Sequence, residues 1–235
     1  MAFKHGTPNS IVTDGLVSYI DAANIKCYSR SGAVVNNLTN TVTGSLSATA
    51  MFETGNFGTF DFDGATDYID CGNITEINGA TALTFNLWYK YTSDMNFEII
   101  AGKNVTDSSE NGFQLYNWAS GVLYVWVKSG GVGTVSYVSN YSSLVSVDQW
   151  NMLTVTYNGG ENEIKAYLNG SSTNIINTNG TTPDTFPNIS DVFFIGKGIN
   201  TNGFRGQINP FSIYNRILTS SETLQNYNAL KYRFE

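Results

Sequence analysis

The sequence predicts an all-β sandwich of two antiparallel sheets closed by one short C-terminal helix, and three observations carry that prediction. Segments with apolar side chains at a period of two recur along the chain, each bounded by Gly, Asn, Asp or Pro. Two corner-rich stretches, FDFDGATDYIDCG at Phe60 to Gly72 and GFRGQINPFSIYNRILTSSE at Gly203 to Glu222, enclose the longest series of these segments. A single segment with helical spacing follows a capping signature near the C-terminus.

Taken in order, the strands begin with Gly15 to Ile20. Thr81 to Lys90 sets Leu83, Phe85, Leu87 and Tyr89 against Thr84, Asn86, Trp88 and Lys90, the alternation of a strand with two distinct faces. Gly121 to Lys128 repeats it, with Leu123, Val125 and Val127 opposed to Tyr124, Trp126 and Lys128. Further strands are expected at Phe97 to Ala101, Gly112 to Trp118, Thr134 to Val138, Val192 to Gly196 and Arg205 to Tyr214, about a dozen in all. Trp150 to Gly170 reads as a hairpin turning at Asn158-Gly159-Gly160, residues that tolerate positive φ. Thr173 to Ser190 is a long surface loop. Pro210 removes a ladder donor inside the last strand, so that strand is either bulged there or lies at a sheet edge. Thr219-Ser220-Ser221-Glu222 is a capping box, and Leu224, Tyr227 and Leu230 follow at helical spacing as a stripe to pack on the sandwich.

A chain of 235 residues, 41% hydrophobic and 14% aromatic, suffices for one large core, so the reading is one domain over 13–235 preceded by an arm over 1–12. Net charge is −7 and no Lys/Arg cluster occurs, which argues against nucleic acid, whose phosphates demand a basic face. No apolar run approaches the roughly 18 residues of a spanning helix, and MAFKHGTPNS lacks a hydrophobic signal region, so neither membrane insertion nor signal-peptide export is expected. Cys27 and Cys71 either pair or stay free as small buried side chains.

Catalytic arrangements find little support. The sole histidine, His5, lies in the arm, so no Ser-His-Asp or Cys-His set forms in the body of the fold. Retaining glycosidases need two carboxylates about 5 Å apart on one face. The nearest pair, Glu161 and Glu163, sits at the hairpin corner and reads as solvated. The expectation is a non-catalytic protein. Asp61, Asp63, Asp67 and Asp70 could supply hard oxygen ligands to calcium, or could equally cap the backbone of a solvated turn.

Sugar recognition requires aromatic faces beside amides or carboxylates, because the C–H surface of a sugar ring packs on a π face while its hydroxyls need partners. Tyr116, Asn117, Trp118, Tyr124 and Trp126 fall on two adjacent expected strands, with Tyr137 and Tyr141 soon after. Either these residues line a sugar groove, or they pack under a loop or against a second subunit, as interface aromatics do.

The chain resembles the laminin-G-like, concanavalin A-like jelly-roll superfamily. The resemblance runs in order through GLVSYIDAAN (Gly15 to Asn24), FDGATDY (Phe62 to Tyr68), LTFNLWYK (Leu83 to Lys90), WNMLTVTYNGG (Trp150 to Gly160) and IYNRILTSSE (Ile213 to Glu222). It implies a concanavalin A-like jelly roll and points to a structural calcium held by Asp21, the Asp63-Gly64 corner and Asn209. The chain departs from the family's GxIDxx pattern at Asn209, where GQINP carries an amide. A hydrophilic arm leading into VTDGLVSYIDAAN, with NYNALKYRF closing the chain, is similar to small lectin-like proteins encoded among the structural genes of tailed bacteriophages. That likeness implies a non-catalytic virion component (capsid, tail or fibre) assembled in the host cytoplasm, with other virion proteins, cell-surface polysaccharide and further copies of the chain as partners. The alternative is a carbohydrate-binding adhesin that acts independently of any particle.

Overall fold

The computed structural model describes residues 10–39, 42–48, 51–92, 97–104, 111–118, 121–197 and 203–235. These residues form fifteen strands. They are β1 (Leu16–Ile20), β2 (Val34–Asn36), β3 (Thr43–Leu46), β4 (Phe52–Glu53), β5 (Thr59–Asp63), β6 (Ile69–Asp70), β7 (Ala82–Tyr91) and β8 (Ile99–Lys103). β9 (Gly112–Trp118), β10 (Val122–Ser129), β11 (Val132–Val138), β12 (Asn151–Asn158), β13 (Glu163–Leu168), β14 (Phe193–Ile195) and β15 (Arg205–Tyr214) complete the set. A four-residue helix, α1 (Tyr141–Leu144), precedes β12, and α2 (Ser220–Leu230) follows β15.

Every strand pairing is antiparallel, in two sheets. The first runs β13-β12-β7-β15-β5-β4, with β1 also on β15, and the second runs β11-β10-β9-β8-β14-β6-β3-β2. The inward residues read from the alternation of β7 and β10 do form the core: Leu83, Phe85, Leu87 and Tyr89 face Leu123, Val125 and Val127 in one buried cluster. Aromatic rings bridge the layers, Phe85 of β7 stacking on Phe113 of β9 at 4.5 Å and 12°.

β15 is the joint of the first sheet. Its first half lies between β7 and β5, its second half between β7 and β1, and the register with β7 slips between Ile208 and Phe211. Pro210, which has no N–H to donate, sits in that bulge, resolving the two options open for it. Gly206 passes so close to β7 that a Cβ there would lie 2.1 Å from the Lys90 carbonyl oxygen. The free edge of β11 is covered by the loop 177–180, whose Asn179 and Asn177 carbonyls accept from the N–H groups of Val135 and Tyr137.

Helix α2 starts at the expected capping box: Thr219 Oγ1 accepts from the Glu222 N–H, and the Glu222 carboxylate accepts from the Thr219 N–H at 2.8 Å. Of the expected stripe, Leu230 is buried and Tyr227 packs on Trp88, but Leu224 turns away. Leu224 is 46% exposed, whereas Thr223, Asn226, Ala229 and Leu230 face the sheet. Asn226 sets this rotation, because its side chain bonds both the Val12 N–H (2.8 Å) and the Tyr214 hydroxyl (3.0 Å). The outer face of the first sheet is thereby roofed, with Trp88 stacked between Tyr227 and Phe234. The arm expected over 1–12 is docked from Ser10 onward, since Val12 is buried against Tyr214 and Leu218; residues 1–9, including His5, lie outside the described residues.

Candidate functional site

The outer face of the second sheet carries the predicted aromatic cluster, in a tighter order than the sequence discloses. Register places Tyr124 of β10 directly opposite Tyr116 of β9 on one side and Tyr137 of β11 on the other. The three rings therefore form one row across the strands, Tyr116 stacked on Tyr124 at 5.3 Å and 12° and Tyr137 tilted against Tyr124 at 6.1 Å and 38°. Trp118 extends the row, 6.2 Å from Tyr116 and 4.3 Å from Phe97. Trp118 is 47% exposed, and the three tyrosines are half-buried. Burial, and then the neighbouring Tyr124, pushes the Tyr116 hydroxyl up to about 12, so it remains a donor at neutral pH.

Three of the seven predicted residues behave otherwise. Asn117 points inward from β9 and donates to the Tyr91 hydroxyl at 2.5 Å, fully buried. Tyr141 is fully buried too, its hydroxyl bonded to that of Tyr89. Both serve to satisfy polar groups that β7 sends into the core, a demand that cross-layer contact creates and local pattern does not show. Trp126 lies on the outer face opposite Gln114 but is only 8% exposed. The accessible set is Tyr116, Trp118, Tyr124 and Tyr137.

The residues expected around calcium meet only in part. Asp63 closes its own turn, its Oδ1 accepting from the N–H groups of Ala65, Thr66 and Asp67 at 2.8, 2.8 and 3.0 Å. Partial burial pushes its carboxyl up, but these bonds outweigh that and bring it to about 2. Gly64, at φ 79, supplies the left-handed corner.

Asp21 and Asn209 do come together, around a guanidinium. Arg233 donates Nη1 to Asp21 Oδ2 at 3.0 Å and Nη2 to Oδ1 at 3.1 Å, both side chains being buried. Tyr19 Oη, the Ala23 N–H and Asn209 Nδ2 also donate to the same carboxylate. Asn209 Oδ1 is taken by the Ala22 N–H at 2.7 Å, and its Nδ2 reaches the Gly58 carbonyl at 2.9 Å as well. Calcium requires six to eight oxygens directed at one point. Here the oxygens of Asp21, Asn209 and Asp63 are spent on protein donors, so these residues do not fit the ion. An Asp at position 209 would lose two donor bonds and set a second charge beside Asp21. The amide suits a site held by Arg233, a residue that sequence reasoning missed because 212 positions separate it from Asp21. Among the described residues no group of three or more His, Cys, Asp and Glu side chains is placed to hold a metal.

Cys27 and Cys71 are both free and buried. Glu161 and Glu163 lie at the β12–β13 corner, where Glu163 pairs with Lys165 at 2.8 Å.

With this geometry in hand, comparison with known proteins places the chain. The family described as the Concanavalin A-like lectin/glucanases superfamily matches residues 63–223. The chain belongs to this superfamily. Among solved structures, this concanavalin A-like chain is similar to domain 4 of AbnA, an extracellular arabinanase of Geobacillus stearothermophilus solved with arabinotriose. The identity is 16% and the TM-score 0.67, covering 90% of this chain and 98% of that one. The binding domain of Paraclostridial Mosquitocidal Protein 1 is similar at 18% identity and TM-score 0.70, over 92% of this chain and 52% of that one. The receptor binding domain of the botulinum neurotoxin C/D mosaic serotype follows at 14% and 0.64, over 91% and 51%. The chain thus spans about half the length of the two toxin domains. No curated protein sequence matches it.

Proposed function

We propose that the chain is a non-catalytic carbohydrate-binding domain that grips an uncharged glycan on the outer face of its second sheet. The row of Tyr116, Tyr124 and Tyr137, extended by Trp118, carries this reading. The negative faces of such rings attract the C–H surface of a sugar. Strands about 4.8 Å apart give three successive rings a reach of about 10 Å. β9, β10 and β11 contain no Asp or Glu, so the row has no carboxylate pair for glycoside hydrolysis. The arabinotriose complex of the arabinanase domain and the botulinum neurotoxin receptor binding domain lend support by analogy of fold.

The proposal includes a place on a virus particle, supported by the likeness of the terminal segments to phage lectin-like proteins. Immunogold labelling of purified particles tests that part separately, and unlabelled particles would leave the independent adhesin. A glycan array probed with the purified chain tests sugar binding. Binding that falls about tenfold or more in Trp118→Ala with Tyr124→Ala is expected, one such residue contributing on the order of 1–2 kcal/mol; a blank array overturns the reading.

A further inference from the structure

A second candidate site shares no residue with the aromatic row and lies where three distant segments converge. The end of β1, the turn Gly55–Phe57 and the C-terminal turn Lys231–Arg233 enclose a cleft of about 500 Å³ lined by Asp21, Asn24, Ile25, Phe57, Tyr232 and Arg233, among others. Its floor is the Asp21–Arg233 pair, whose charges cancel. Its walls are apolar and open, with Phe57 66%, Tyr232 61% and Ile25 68% exposed. The Phe57 and Tyr232 rings stand 6.5 Å apart, inclined at 58°.

Two features separate this cleft from scattered surface hydrophobics. Phe57 holds φ 67 and its neighbour Asn56 φ 53, a left-handed backbone that glycine would adopt freely and phenylalanine does not favour. Its ring sits mostly in solvent, so little core packing offsets that strain. The turn is also tied to the C-terminal segment, Asn56 Nδ2 donating to the Arg233 carbonyl at 2.5 Å, which fixes Phe57 relative to Tyr232. Nearby, Asn24 is exposed and directs Oδ1 to the Lys26 N–H, leaving its Nδ2 donors at the cleft.

We infer that this cleft is a second saccharide site, independent of the aromatic row, which takes one uncharged sugar ring against the solvent-exposed surfaces of Phe57 and Tyr232 with a hydroxyl accepting from Asn24 Nδ2. The neutral floor disfavours an ionic ligand, and the volume lies within the 300–1,000 Å³ range of small-ligand sites. Two separate sites would let one chain hold a glycan at two points and gain avidity.

The test is a titration of the intact chain, isotopically labelled for NMR, with maltotriose, cellotriose and arabinotriose. Saturable shifts at the Phe57 and Tyr232 rings and at Asn24 Nδ2 are expected with at least one of them. They should persist in the Trp118→Ala, Tyr124→Ala background and weaken about tenfold or more in Phe57→Gly. That variant removes the ring while relieving the backbone, so it stays folded, and an unchanged or raised melting temperature verifies this. The inference is overturned if no probe shifts these residues, if Phe57→Gly binds as well as wild type, or if the shifts vanish with the Trp118 and Tyr124 substitutions. Sugar-independent, concentration-dependent shifts at the cleft would overturn it too, by showing that a second copy covers it.

Discussion

Arg233→Met removes the cation that the fold sets against Asp21. In wild type the Asp21 carboxylate receives five donors, two from Arg233 and one each from Tyr19, Ala23 and Asn209. Breaking a buried ion pair by deleting one partner costs about 3–5 kcal/mol, because a desolvated charge is left uncompensated. Three neutral donors remain here, so the lower end applies, about 3 kcal/mol. For a chain of this length each kcal/mol lowers Tm by about 2–4 °C, which predicts a drop of about 6–12 °C at neutral pH by circular dichroism. Asp21→Asn in the same background should recover part of the loss by removing the charge. The same logic predicts that wild type melts at one temperature with calcium or with chelator. A Tm for Arg233→Met within about 1–2 °C of wild type, or a wild-type transition that rises with calcium, would refute the guanidinium account.

Three further outcomes follow from the fold. Glu222 is drawn down to about 2, first by Arg216 against partial burial and then by Thr219, so its carboxylate bonds stabilise the helix end above its ordinary value of 4.5. That stability is lost as pH falls from about 4.5 to about 2, which an NMR titration of Glu222 and acid melts would reveal, and Thr219→Ala should cost about 1 kcal/mol at neutral pH. Gly206→Ala should lower the yield of folded protein sharply, since the added Cβ collides with the Lys90 carbonyl; a soluble, wild-type-like melt would contradict the β15–β7 register. Cutting through Val12 should lower Tm, because Val12 N–H and C=O are both bonded to the body of the fold.

What the sequence disclosed follows from which forces are local. The alternation in β7 and β10, the capping box at Thr219 and the break at Pro210 are written in neighbouring residues, and each appears where local pattern puts it. β2, β3, β4 and β6 escaped notice because strands of two to four residues have no room for a period. The aromatic row was legible as a set of residue types but not as a row, since the opposition of Tyr116, Tyr124 and Tyr137 is a matter of register. Asn117 and Tyr141 looked like their exposed neighbours, and only the hydroxyls of Tyr89 and Tyr91 across the core explain their burial. Asp21 and Asn209, expected to meet around a calcium ion, meet in a hydrogen bond instead. The cation set against Asp21 is Arg233, whose partnership depends on how the C-terminal turn docks.

The central claim is that the row on the second sheet holds a glycan without transforming it, and the indole N–H resonance of Trp118 reports on it most directly. Titration with an array-selected neutral oligosaccharide should shift that resonance saturably, leave the indole of Trp88 under α2 unmoved, and return the sugar intact. A bound sugar that leaves Trp118 unperturbed, or one recovered as cleavage products, would contradict it.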